Sequence, residues 1–284
     1  MRYWRMQPDP QLQPWIHCYF LVEPNYASAL EDSDETEQLL LPDGHAEIVF
    51  NLGSGYDRWQ MGRSGTRDLM RSSYLIGGRS ESVFTRNRGP VRLAGVKLDP
   101  RLLRQLIRAS LREFSDGILS LRDLNDTALL DLEDAVACAG SAASVRLLLD
   151  SFFLSAIANM QMRDPLIDRL MRDILTRRGS LSIMNWSCEH RIDTRRLERR
   201  FGDAVGITPK RYARVIRFKH SYQQLLAHPG ATSMHMDGYY DQSHFNKEFK
   251  HFLGVAPTVW LGGKLQPATC VCDHLLEGER PDVR

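Results

Sequence analysis

No apolar run in this sequence approaches the ~18 residues of a membrane span, and the first charges, Arg2 and Arg5, lead straight into Pro8, Pro10 and Pro14. Neither a membrane anchor nor a secretory leader is expected. Cysteine is scarce. The five residues, Cys18, Cys138, Cys188, Cys270 and Cys272, are odd in number and spread without a framework, which points to reduced thiols in a cytoplasm rather than to a secreted disulfide scaffold. No phosphate loop, nucleophile elbow or HExxH helix is present. Net charge is almost missing as well, since 37 Lys plus Arg face 35 Asp plus Glu for a formal +2. That excludes a wholly basic nucleic-acid coat protein and leaves room for a basic module joined to an acidic one. What remains is a chain of 284 residues, 43% hydrophobic, long enough for two domains with their own cores.

The charge separates by segment. Residues 1–163 hold 18 basic and 21 acidic residues and residues 164–284 hold 19 and 14, so the halves carry −3 and +5. Between His190 and His220 ten Lys or Arg face three acids. A basic stripe of that density on a helical segment is an electrostatic footprint for phosphate, although a solvated helix face is the plain alternative.

The first ~100 residues read as short strands, Trp15–Val22, Glu47–Leu52, Ser73–Ile76 and Val91–Leu98, divided by Gly, Pro, Asn and Asp clusters. A small antiparallel barrel or sandwich is expected. The run from Glu31 to Glu37 reads as an exposed acidic loop. From Pro100 onwards Leu102, Leu103, Leu106, Ile107 and Leu111, and later Leu147, Leu148, Phe152 and Ile157, recur at helical steps. Pro165 suits a helix first turn, and the boundary between the halves is placed there.

The second half repeats itself at an offset of 48 residues. Asp193, Leu197, Arg199, Phe201, Val205, Gly206, Ile207 and Pro209 are answered in register by Asp241, Phe245, Lys247, Phe249, Leu253, Gly254, Val255 and Pro257, so one supersecondary unit occurs twice. Each unit builds from its residues. Asp193 and Asp241 cap a helix start, Ile192 and Leu197 form a hydrophobic staple, and Gly206 and Gly254 stop the helices. Leu197, Phe201, Phe245 and Phe249 form the buried stripe, with Arg195, Arg196 and Arg199 turned outward. Leu181–Cys188 supplies a short preceding helix, and Thr208-Pro209 opens a long one to about Ala227. Short helix, turn and capped basic helix make a helix-turn-helix, whose second helix enters a major groove.

The stretches Leu197-Glu-Arg-Arg-Phe201, Val205-Gly-Ile-Thr-Pro-Lys-Arg-Tyr212 and Gly238-Tyr-Tyr-Asp-Gln-Ser-His-Phe-Asn-Lys-Glu-Phe-Lys250, followed by Gly254-Val-Ala-Pro257, resemble the DNA-binding domain of AraC/XylS-type transcriptional regulators. Leu41-Pro-Asp-Gly-His-Ala-Glu-Ile-Val-Phe-Asn-Leu-Gly53 and Gly95-Val-Lys-Leu-Asp-Pro100 are similar to the cupin-like sensing domain of some members. The resemblance implies an α+β chain of two domains. A cupin-like sensing or dimerisation domain with a helical extension would span 1–163, a double helix-turn-helix 164–264 and a flexible tail 265–284. Two departures stand out: Arg191 occupies a turn position where the family carries Gly, and Ser233-Met234 replaces an apolar residue followed by Ala in the second unit's scaffold helix.

For DNA reading the candidates are Arg195, Arg196 and Arg199 in the first unit and Gln242, Ser243, His244 and Lys247 in the second. Arg pairs bidentately with guanine, Gln with adenine, and Arg or Lys also binds phosphate. His244, beside Phe245, is read as structural first. Arg211, Arg214, Arg217 and Lys219 on the long helix would meet phosphates or solvent. The resemblance implies promoter DNA and RNA polymerase as partners, a small-molecule effector of unknown identity, and leaves a homodimer open; no cofactor, catalysis or membrane association is expected. Two alternatives stay open: a metal-dependent cupin-type enzyme, and a sensor that has lost specific DNA binding. His45 and Glu47 share one side of a strand and are the weak effector or metal candidates, a polar solvent-facing strand being the plainer reading. Cys270, Cys272 and His274 lack paired ligands at structural-zinc spacing.

Overall fold

The computed structural model describes residues 2–24, 37–60, 67–158, 164–227 and 238–261. Most of the acidic run 31–37, the departure at Ser233-Met234 and the tail with Cys270, Cys272 and His274 lie outside the described residues. Glu37, at the end of the run, pairs with Arg67 at 3.4 Å.

The N-terminal half is a two-layer antiparallel sandwich rather than a closed barrel. One sheet has the order β1 (Arg2–Met6), β2 (Ile16–Glu23), β9 (Leu93–Leu98), β4 (Ala46–Asn51), β7 (Tyr74–Ile76), β10 (Ile118–Ser120). The smaller sheet runs β3 (Gln38–Leu40), β8 (Val83–Asn87), β5 (Tyr56–Gln60), β6 (Asp68–Met70). β2 carries the unbroken apolar run Tyr19-Phe20-Leu21-Val22 because both its faces are covered. Tyr19 and Leu21 pack outward under helices, while Phe20 and Val22 face the smaller sheet with Val49, Tyr56 and Tyr74. The covering helices are α1 (Pro100–Ile107), α2 (Leu121–Leu124), α3 (Thr127–Cys138) and α4 (Ala142–Ala158). They place Leu102, Leu129 and Phe153, each at most 1% exposed, on the large sheet.

The C-terminal half is helical: α5 (Pro165–Thr176), α6 (Ile183–Glu189), α7 (Thr194–Val205), α8 (Pro209–Ala227), α9 (Gln242–Leu253) and α10 (Pro257–Leu261). The expected caps form. Asp193 Oδ1 accepts from Arg196 N at 2.9 Å and Asp241 Oδ1 from His244 N at 2.7 Å, satisfying first-turn amides that no carbonyl can reach. Gly206 and Gly254 end α7 and α9 at φ +93° and +78°, where a side chain would clash with the backbone. Leu197, Phe201, Phe245 and Phe249 are all fully buried.

The halves share a core. Leu39 and Leu41 of the sandwich pack with Phe218 and Tyr222 of α8 and with Phe245, Phe249 and Phe252 of α9. The strands thus reach the second unit, and α7 lies against α1 and the short 3-10 turn Leu111–Phe114.

Candidate nucleic-acid interface

α6 and α7 pack around Trp186, Leu197 and Phe201, with Ser187 and Thr194 hydroxyls bonded at 2.9 Å across the turn. The turn itself is closed by Arg191, at φ +52°, whose amide donates to Cys188 O at 3.1 Å. An L-residue there is strained by about 1 kcal/mol relative to its ordinary conformation, which is why Gly is the easier occupant.

Beyond this packing face, Arg195, Arg196 and Arg199 are exposed, with no acid in ion-pair reach among the described residues. The other cations of the basic stretch divide sharply. Arg200 pairs with the Asp164 cap at 2.7 Å, Arg211 with Asp116 at 3.3 Å, and Arg214 and Arg217 converge on Glu248 at 3.1 and 2.8 Å. Lys219 Nζ donates to Asp43 O at 3.4 Å. Arg211, Arg214, Arg217 and Lys219 of α8 thus have partners within the fold, whereas sequence alone offered phosphate or solvent for them. Glu248, 5% exposed, escapes a reading of the sequence because it sits 34 and 31 positions from its two arginine partners.

On α9, Gln242, Ser243 and Lys247 are exposed and His244 is half-buried. Gln242 Nε2 donates to Asn246 Oδ1 at 3.1 Å, while His244 leans edge-on against Tyr239 and lies 3.7 Å from Glu248. A groove of about 870 Å³ runs between the units and brings together Thr194 and Glu198 of α7, Lys210 and Arg214 of α8, and His244 and Lys247 of α9. Lys210, exposed and without an ion pair among the described residues, joins the candidates here; its place beside Pro209, in the first turn of α8, is the signal in the sequence that marks it.

The strand expected to face solvent does not. Glu47 is 7% exposed and points into a cavity of about 270 Å³ between the two sheets, where Arg79 and Lys97 meet it at 3.0 and 3.7 Å. His45, just before β4, lines a different pocket, between the two halves, stacked on His17 with centroids 4.4 Å apart. The two residues are thus parted, since β4 has both faces covered and the chain turns at Gly44. Among the described residues no three of His, Cys, Asp and Glu gather as metal ligands, and no helix is long and apolar enough to cross a membrane.

One six-residue strap, Gly77 to Ser82 between β7 and β8, connects this cavity to both units. Arg79 enters the cavity. On one side the Gly78 amide donates to Val205 O, the last turn of α7, at 2.9 Å. A Cβ at Gly78 would lie 2.3 Å from that oxygen, so only Gly fits. Further along, the Ser82 hydroxyl donates to Phe252 O, the last turn of α9, at 2.7 Å. Between them Ser80 is bonded through N and Oγ to Asp116 at 2.6 and 2.8 Å, the same carboxylate that takes Arg211.

Comparison with known proteins gives two family matches, a domain of unknown function (DUF6597) over residues 4–120 and a helix-turn-helix domain over residues 186–262. No curated protein sequence matches. Among solved structures, ToxT from Vibrio cholerae in its apo form is similar at 13% identity, over 86% of this chain and 96% of that one, with a TM-score of 0.44. ToxT bound to (E)-4-(8-methylnaphthalen-1-yl)but-3-enoic acid is similar at 10% identity, over 92% and 99%, with a TM-score of 0.46. The AraC-like transcriptional activator CuxR matches at 12% identity, over 78% and 87%, with a TM-score of 0.27.

Proposed function

We propose how a chain that carries an AraC-type helix-turn-helix domain behind an N-terminal domain of unknown function acts as an effector-responsive, DNA-binding transcriptional regulator. α7 and α9 are its reading helices. The observation that carries this is the division of the cations: Arg211, Arg214, Arg217 and Lys219 of α8 have partners within the fold, whereas Arg195, Arg196 and Arg199 project outward from a capped helix with no ion pair among the described residues. Arg195, Arg196 and Arg199 serve guanine edges and phosphates. Gln242 and Ser243 offer neutral donors and acceptors, and Lys210 and Lys247 hold backbone. His244, leaning on Tyr239, positions α9 and reads nothing. Two helices in successive major grooves lie about 34 Å apart along the duplex.

The sandwich is the effector domain and the cavity containing Glu47 its site, with the strap as the route to both reading helices. His45 belongs to the joint between the halves. Residues 1–163 form this sensing part, 164–264 the DNA-binding part and 265–284 a tail. The chain works in the cytoplasm on promoter DNA and RNA polymerase and performs no catalysis. An anisotropy titration with a duplex selected from a random pool tests this: Arg199→Ala weakens binding by at least several-fold. Unchanged affinity at moderate salt removes α7 from the interface.

A further inference from the structure

One element of the sandwich half touches α7 on the face that carries its arginines. At 3.6 residues per turn the seventh residue of a helix returns to within about 20° of the first, so Gly202, seven positions after Arg195 and three after Arg199, continues their row. Gly is a poor residue inside a helix, and here it leaves the row without a side chain. Arg112, from the 3-10 turn Leu111–Phe114, occupies that place. A Cβ on Gly202 would meet Arg112 Cδ, Cγ and Cβ at 3.5, 3.7 and 3.9 Å, so the arginine stem lies along the helix surface where Gly202 has nothing. The turn is held there at two points: Ser110 Oγ donates to Asp203 Oδ1 at 2.8 Å, and Leu111 O lies 3.4 Å from where a Cβ of Gly206 would stand. Arg112 is nonetheless exposed, and its guanidinium has no ion pair or hydrogen bond among the described residues. Glu113 beside it and Glu198, four positions before Gly202, are exposed as well, and neither pairs with it. Arg108, at the end of α1, which also packs against α7, is exposed and unpaired among the described residues too. Two such arginines beside α7 run against the net charge of their own half, −3 over residues 1–163.

We propose that the sandwich half itself takes part in DNA binding: the Arg112 guanidinium, with Arg108 behind it, contacts backbone phosphates of the duplex beside the groove that α7 enters. A reading helix touches base edges with its first turns, which on α7 are those of Arg195 and Arg199. Gly202 stands about 4.5 Å further along the axis, where the helix passes the wall of a groove about 12 Å wide. What faces a side chain there is phosphate. Such a contact fixes register and adds affinity without reading sequence. An anchor on the sandwich also ties DNA affinity to the packing of the two halves. The inference rests on the reading of α7 as a groove-entering helix and is testable apart from it.

The full chain is titrated by fluorescence anisotropy against a duplex selected from a random pool and against a scrambled duplex, over a series of salt concentrations. Arg112→Gln is expected to lower affinity about three- to tenfold on both duplexes and to flatten the slope of log K against log salt by about 0.9. Arg112→Lys, which keeps the charge, restores the slope, whereas a purely packing role of the stem leaves the slope untouched in either variant. In the parent chain, phenylglyoxal modification followed by mass spectrometry reads the same contact without a substitution: the duplex slows reaction at Arg112 as it does at Arg199. The proposal is overturned if Arg112→Gln binds as the parent does, or if its loss is confined to the selected duplex. Tighter binding by that variant also overturns it and makes the turn a shield over α7, and so does an Arg112 that reacts equally fast with and without DNA. Loss in Arg199→Ala but not in Arg112→Gln leaves α7 as a reader and removes the sandwich from the interface. A parent chain that binds neither duplex sinks both.

Discussion

The two helix-turn-helix units share a frame and differ in the face they present. α7 and α9 begin on the same Asp cap, bury an apolar pair four residues apart, stop on a left-handed Gly and hand a last-turn carbonyl to the same strap. Outside that frame they diverge. α7 exposes three arginines, whereas α9 exposes Gln242, Ser243 and two lysines, Lys247 and Lys250, beside a Glu248 that faces inward. The difference teaches that the repeat preserves what packs and caps, while the solvent face is free to take on separate tasks. α7 presents three guanidinium groups, α9 neutral donors and acceptors together with two lysines.

The largest effect expected is at Glu248. Removing it as Glu248→Ala leaves Arg214 and Arg217 without their shared acid and costs about 2–3 kcal/mol, discounted for the partial exposure of Arg214. Chemical denaturation reads this, and a loss below half a kcal/mol would mean that α9 is not held by its ion pairs. Next comes the double change Arg195→Ala with Arg199→Ala, which lowers duplex affinity about tenfold, near 1.4 kcal/mol. It also flattens the salt dependence by up to about 0.9 for each phosphate that is no longer neutralised. Gln242→Ala is expected to relax base preference with the salt slope unchanged, and a changed slope would erase the contrast between the helices. The caps should then behave alike, Asp193→Ala and Asp241→Ala each costing about 1 kcal/mol; two unequal losses would show that the frames differ after all. Smallest is Arg191→Gly, which relieves the positive φ and raises stability by about 0.5 kcal/mol, net of the added chain entropy. A destabilised variant would show that the arginine side chain contributes more than its strain.

Much of the fold was legible where a local rule governs it. Asp193, Gly206, Pro209 and their counterparts 48 residues on announce caps and stops, because capping is decided within one helical turn. The apolar strands β2, β4, β7 and β9 were equally plain. What escaped was long-range and charged. β5, with Asp57 and Arg58, is not among the four strands read from the sequence, yet Asp57 is 1% exposed and bonded to Arg88 at 2.7 Å. Glu47, Arg79 and Lys97 are scattered over 51 positions, and nothing periodic marks them as one cluster. Likewise the outward arginines of α7 stood out by density, but telling them from the paired arginines of α8 required knowing where Glu248 and Asp116 point. Gly77-Gly78 read as a turn; its tight approach to Val205 arises only when both halves are folded together.

The central claim is that both units read DNA with different chemistry. Hydroxyl-radical footprinting of the full chain on a duplex selected from a random pool tests it most directly. Two protected tracts about one helical turn apart are predicted, with the tract under α7 fading in the Arg195→Ala, Arg199→Ala double variant and the tract under α9 persisting. A single uninterrupted protection on any sequence, vanishing steeply with salt, would contradict the account and leave only phosphate attraction.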